Sequence, residues 1–143
     1  MTDSLLLDTH IVLWLDSGDS HLRPATRALI DRCWSAGGTL YVSAVTVWEI
    51  ALLVDTGRIS LDLPPLAWVE RFVSPAGVEV VSLSWQAAAG TYDWPALFQR
   101  DPADRMLIAT AIELNCPLLT ADEQITAFSA QSGRQYGLAV AEG

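Results

Sequence analysis

The chain has 143 residues, 51% of them hydrophobic, which is enough for one domain to bury a core without disulfides or zinc and too apolar for intrinsic disorder. Seventeen acids against eight bases give a net charge of −9 and no general footprint of a nucleic-acid binder, so a nucleic-acid ligand requires a local override of the field. All eight bases are arginine, and the lack of lysine removes P-loop and Schiff-base chemistry.

Leu5 to Leu7 reads as a short strand, followed by Asp8, Thr9, His10 and an apolar stretch from Ile11 to Leu15. Leu22 to Trp34 reads as a helix with Pro24 in its first turn, where proline is tolerated. Thr39 to Val42 is a second strand. Ser43 is a natural cap for a helix from Ala44 to Val54, with Gly57 just beyond its end. Pro64 and Pro65 open a helix from Leu66 to Val73, which places Trp68 and Phe72 on one face. Val78 to Leu83 is a third strand, and Ser84 caps a short helix reaching about Tyr92. Asp101 and Pro102 begin a helix that runs to about Leu114. Pro117 to Thr120 is a fourth strand. Thr120 to Glu123 fits a capping box for another helix, and Tyr136 to Val140 is a last strand.

Strands alternating with helices predict an α/β fold, a three-layer α/β/α sandwich around a mostly parallel sheet, as one domain over residues 1–143. The sequence shows no repeat and no linker. Cys33 and Cys116 form no CxxC pair and read as two buried thiols. No apolar run approaches the ~20 residues of a membrane span, and no base precedes the first apolar stretch, so a cytoplasmic protein is expected.

In an open parallel sheet, ligands bind beyond the carboxyl ends of the strands. Asp8 follows the first strand, Asp122 the fourth, Glu49 lies on the helix after the second, and Asp104 lies in the first turn of the helix leading into the fourth. Each of the aspartates also has an ordinary structural role open to it: Asp8 and Asp101 as helix caps, Asp104 against a helix dipole, Asp122 within the capping box. Glu49 does not. Nine of the eleven residues from Ala44 to Val54 are apolar, so the helix is expected to be buried nearly all round. A lone carboxylate there needs a partner or a cation. Converging carboxylates of this kind suit Mg²⁺ or Mn²⁺, which would also admit a phosphate to an acidic protein.

The stretches Leu5 to His10, Ser43 to Leu52 with Trp48-Glu49-Ile50-Ala51, Asp101 to Ala109, and Leu118 to Asp122 together resemble the motifs of PIN-domain ribonucleases, in order and across nearly the whole chain. Within that family the chain is similar to the VapC toxins of bacterial toxin–antitoxin pairs. The resemblance implies an endoribonuclease that hydrolyses RNA phosphodiester bonds with Mg²⁺ (Mn²⁺ also serving) and inhibits translation and growth. Carried over by motif, the catalytic and metal-binding quartet is Asp8, Glu49, Asp104 and Asp122. Thr9, Thr120 and Asp101 are accessory, Asp104 being preferred over Asp101 because it directly precedes Arg105-Met106-Leu107. Metal held by Asp8 and Asp104 would acidify a water, and the same or a second metal, held with Glu49 and Asp122, would stabilise the phosphate. Products with 5′-phosphate and 3′-hydroxyl ends are implied. Relatives often carry histidine where Gln99 stands, and no role is assigned there.

The implied partners are a cognate VapB-like antitoxin, an RNA such as tRNA or a structured loop, and a second copy in a homodimer. Arg23 and Arg27, four apart on one helix face, and Arg100 and Arg105, beside the third motif, are candidate RNA contacts, although a solvated face explains the first two equally well. His10 reads as a packing or hydrogen-bonding residue more often than a ligand, two histidines being too few for a histidine-rich metal site. Trp48 reads as core, and the helix bearing Trp68 and Phe72 as a contact surface or ordinary packing. The rival functional class is a non-catalytic module that only sequesters an antitoxin. A phosphotransfer fold with an aspartate after its first strand lacks its usual lysine here.

Overall fold

A computed structural model describes residues 4–94, 102–131, 137 and 139–142. Asp101, Arg100 and Gln99 lie outside the described residues, as do Arg134 and, of the expected last strand, Tyr136 and Leu138. The elements in chain order are β1 (Leu5–Leu7), α1 (Thr9–Ser17), α2 (Pro24–Ser35), β2 (Leu40–Ser43), α3 (Ala44–Asp55), α4 (Pro65–Phe72), β3 (Val78–Val81), α5 (Trp85–Ala89), a 3₁₀ turn (Gly90–Tyr92), α6 (Pro102–Leu114), β4 (Leu118–Thr120), α7 (Glu123–Gln131) and β5 (Val140–Glu142). The last strand thus starts where the sequence pattern was expected to end, and shares only Val140 with it.

The five strands form one parallel sheet in the order β3-β2-β1-β4-β5. β1 occupies the centre, which explains its unbroken leucine run: parallel strands covered on both faces need apolar side chains pointing both ways. Leu5 and Leu7 enter a core with Ile11, Val12, Ile30, Ile50 and Trp68, supplied by α1 to α4. Leu6 and Leu118 enter a second core on the opposite face with Ile108, Ala109, Ile125 and Phe128, from α6 and α7. Two cores flanking one sheet make the three-layer α/β/α sandwich that the alternation of elements predicted.

Local signals hold at several element starts. The Ser43 side chain accepts from the Val45 N–H and caps α3, and Ser84 accepts from the Ala87 N–H and caps α5. Pro24 and Pro65 each open a helix, where the missing N–H is harmless. Gly77 is the glycine that the packing requires: its φ is +90°, and a Cβ there would lie 2.9 Å from Trp34 Nε1.

One tryptophan assignment reverses, and one left open between a contact surface and packing is decided. Trp48 is 57% exposed and Trp68 2% exposed. α3 is not buried all round: Trp48 and Leu52 share a face that looks outward, while Thr46 and Ile50 face in. Trp68 stacks on Phe72 at 5.5 Å between centroids inside the first core, so this pair is packing and not a docking face. Cys33 and Cys116 are buried and not joined in a disulfide, and burial raises the Cys116 thiol to about 11. Both thiols are therefore expected to resist a thiol reagent at pH 8 in the native protein and to react fully once denatured. Fast labelling of the folded chain at either cysteine would contradict the packing described here.

Candidate active site

Helices that follow parallel strands run back antiparallel to them, so their N-termini gather at the carboxyl edge of the sheet. The strand order changes direction on either side of β1, and the β1/β4 boundary is the switch point where α/β sheets open a crevice. Asp8, Glu49, Asp104 and Asp122 all line one cleft there, of about 310 Å³, together with His10, Trp14 and Ala121. The four acids spaced across 115 residues of sequence are thus brought to one place. Among the described residues, no three acidic, histidine or cysteine side chains are drawn into one closed cation cage.

Hydrogen bonds link three of the acids. Asp8 caps α1: its Oδ1 accepts the Thr9 N–H at 2.7 Å, and its Oδ2 accepts the Thr120 hydroxyl at 2.6 Å. The Thr9 hydroxyl donates to Glu49 Oε1 at 2.6 Å. Having one proton, it must then accept from the Thr46 hydroxyl, 3.1 Å away. The Thr120 oxygen accepts the Asp122 N–H at 3.0 Å. A continuous path therefore runs Glu49–Thr9–Asp8–Thr120–Asp122 across the ends of β2, β1 and β4. Asp104 approaches separately, buried in the first turn of α6.

The cap and site readings of these residues turn out to be compatible. Asp8 and Asp122 sit at N-caps and Asp104 in a first turn, where the positive helix ends favour carboxylates. The capping box differs in detail from the sequence reading. Asp122, not Thr120, is the cap of α7, its Oδ1 accepting from the N–H groups of Gln124 and Ile125 at 2.8 and 3.1 Å. Thr120 is released to orient Asp8.

Asp8 is buried, and its carboxyl is raised above 3.8 chiefly because burial penalises the charge. The bonds from Thr120 and Thr9 and the nearby His10 pull it down, and Asp122 pushes it up. Six per cent exposure and two hydrogen bonds do not fully offset the lost solvation. Replacing Thr120 by valine removes the hydroxyl from Asp8 and leaves the Asp122 N–H without its acceptor. We expect a loss of about 1–3 kcal/mol of stability, measured by denaturant titration. Unchanged stability would show that the Thr120 bridge contributes nothing.

The remaining candidates separate. Arg105 is 8% exposed; its Nη1 donates to the Thr91 carbonyl at 3.1 Å and its guanidinium lies 4.7 Å over the Tyr92 ring. It is pinned inside the fold and is not displayed to a ligand. Arg23 is the residue before α2 and not part of it, so it does not pair with Arg27 along one helix face. Arg23 lines a second cleft next to the acids, with Trp14, His21, Thr120 and Ala121, whereas Arg27 is exposed on α2 and lines neither cleft. His10, expected as a packing or hydrogen-bonding residue, is exposed in the first turn of α1 and reaches the acid cleft. Sequence reasoning passed over Thr46 and Trp14. Thr46 carried a signal, being the second polar residue of α3, three before Glu49.

The PIN domain family profile matches residues 5–130. The chain is 32% identical to Ribonuclease VapC22 of Mycobacterium tuberculosis over 122 residues, 85% of this chain and 89% of that protein. Its fold is similar to the crystal structure of VapBC2 from Rickettsia felis bound to a promoter DNA fragment, with a TM-score of 0.67 at 13% identity over 97% of this chain and 98% of that one. A toxin–antitoxin complex from Klebsiella pneumoniae gives a TM-score of 0.61 at 16% identity, covering 96% of this chain and 95% of that one. With the sheet order, the acid cleft and these matches in agreement, the chain belongs to the PIN-domain family and is VapC-like within it.

Proposed function

We propose that this protein is a divalent-metal-dependent endoribonuclease and the toxin of a VapBC-type pair, held in check by a VapB-like antitoxin and inhibiting translation when released. The observation that carries the reading is one cleft at the sheet's switch point lined by four carboxylates, in a chain related to a named ribonuclease. A binding module that only sequesters an antitoxin gives no account of four carboxylates gathered in one cleft.

The donor set fits a hard cation: it is all oxygen, carries up to four negative charges, and includes a buried aspartate in need of one. Asp8 and Asp104 are the proposed principal ligands, with Glu49 and Asp122 on the flanks. An open set suits Mg²⁺, which keeps several waters and takes one or two carboxylates plus substrate phosphate oxygens. When bound, Mg²⁺ or Mn²⁺ supplies a water of lowered pKa and polarises a phosphoryl oxygen.

The protein's own residues do the rest. Thr9 and Thr120 fix the carboxylate planes of Glu49 and Asp8 so that their remaining lone pairs face the cleft's contents. The carboxylates repel an RNA phosphate until their charge is balanced, which couples substrate entry to metal loading. Hydrolysis joins a water oxygen to phosphorus and breaks the bond to the 3′ oxygen, which takes up a proton. The products carry 5′-phosphate and 3′-hydroxyl ends. A homodimer in a cytoplasmic setting completes the reading; among the described residues no helix is long and apolar enough to cross a membrane.

The test is cleavage of end-labelled bacterial RNA, tRNA included, by antitoxin-free protein with Mg²⁺, with Mn²⁺ and with EDTA. Cuts that need metal and leave 5′-phosphates are expected. Metal-loaded, folded protein that cuts no RNA while binding an antitoxin would favour the sequestering module.

A further inference from the structure

Three rings run from the acid cleft into the cleft beside it. Trp14, on α1, is tilted against His10 with centroids 5.8 Å apart, and stacked on His21 at 5.4 Å with 23° between the ring planes. His10 and Trp14 line the acid cleft, and Trp14 and His21 line the cleft beside it. The two clefts share Trp14 and Ala121, and Thr120 forms part of the second while donating to Asp8 of the first.

These rings are fixed but not buried. His10 and His21 are exposed and Trp14 is half-buried. The backbone N–H and ring Nδ1 of His21 both meet Asp19 Oδ1, at 2.8 and 2.7 Å, which holds the imidazole in place against the indole. A stack of aromatic faces that is open to water and already ordered is a site for another flat, apolar-faced group, with little entropy left to lose. The surrounding chemistry argues for a nucleobase over a peptide helix. The second cleft offers Arg23, Glu123, Thr120 and Thr126 beside alanines, not a continuous apolar floor.

We infer that the His10–Trp14–His21 stack is the platform for one unpaired base adjoining the scissile phosphate, with Arg23 meeting the strand's backbone. The inference rests on the ribonuclease reading and deepens it. It makes the substrate a single-stranded or looped segment, because a base within a helical stack presents no free face. It also makes Trp14 a positioning residue that sets where along the strand the cut falls.

The experiment uses Asp8→Asn protein with Mg²⁺ and short single-stranded RNAs, each carrying 2-aminopurine at one position. Quenching is expected at one position or two neighbouring ones. Trp14→Leu, which stays apolar but removes the ring, should abolish that quenching and weaken binding about tenfold. Trp14→Phe should restore most of both, which a merely structural role for the side chain would not require. In protein with Asp8 intact, an abasic ribose at the same position should lower kcat/KM about tenfold, and should have no further effect in Trp14→Leu. Cleavage that persists while quenching and affinity ignore both Trp14 variants overturns the platform and leaves the nuclease standing. If the variants spare RNA but weaken capture of an antitoxin, the surface belongs to the protein partner and the inference falls. Quenching that depends on Trp14 in a chain that cuts nothing keeps the platform and removes the nuclease.

Discussion

Asp8→Asn is expected to leave the chain folded and to lower RNA cleavage on the order of 10³-fold. The fold survives because asparagine caps a helix as well as aspartate does, so the bond from the Thr9 N–H persists. The new amide nitrogen faces Thr120 Oγ1 in place of a carboxylate oxygen, which turns the threonine proton elsewhere at a cost of about 1 kcal/mol. Removing a buried charge that burial disfavours offsets part of that loss. What disappears is the negative charge at the centre of the Glu49–Thr9–Asp8–Thr120–Asp122 path. A metal readout separates this from general damage. Saturating Mn²⁺ should raise the unfolding temperature of the unsubstituted protein, about 2.7 kcal/mol being available at a hundredfold excess over Kd. The same addition should not move Asp8→Asn. Cleavage at the original rate by a folded Asp8→Asn protein would remove Asp8 from the site.

Trp68→Ala destabilises the protein by about 3–5 kcal/mol, whereas Trp48→Ala changes stability by less than about 0.5 kcal/mol. Trp68 fills the core between α4 and the sheet and stacks on Phe72, so truncation leaves a cavity that rigid neighbours cannot close. A domain of this size has about 5–15 kcal/mol in total, and the loss should be plain in a urea titration as a lower midpoint. Trp48 is more than half in water and leaves no void when removed. Equal effects at the two positions would mean that the helix faces of α3 and α4 are assigned wrongly.

The two tryptophans show where sequence reasoning reaches its limit. Leu5 to Leu7, the Ser43 and Ser84 caps, and Pro24 and Pro65 at helix starts are local signals, and each lands within a residue or two of its element. The parallel order followed from alternation, and the order then told where acids would meet. Helix faces are another matter. Nine apolar residues in eleven leave α3 without a marked polar side, so nothing local says that Trp48 looks out. The site was legible as a set of residue types at strand ends, and the cleft gathers all four. The bonds among them were not legible: Thr120 was read as a cap because its spacing to Glu123 fits one, while its hydroxyl is engaged by a residue from the other end of the chain. The place of His10 was legible but missed: positions two apart on a strand share a face, so even an extended Asp8-Thr9-His10 would put His10 on the side of Asp8.

That bond from Thr120 to Asp8 spans 112 positions. During synthesis the first strand leaves the ribosome with its principal carboxylate, yet its neighbour on one side, β4, has not been made. At about 5–20 residues per second, roughly 6 to 22 s pass before Thr120 follows. Throughout that interval Asp8 lacks the hydroxyl that orients it and the wall of the cleft that Asp122 supplies. A nascent chain, like any fragment cut short before β4, therefore has only part of the acid cleft and an Asp8 without its second hydrogen bond.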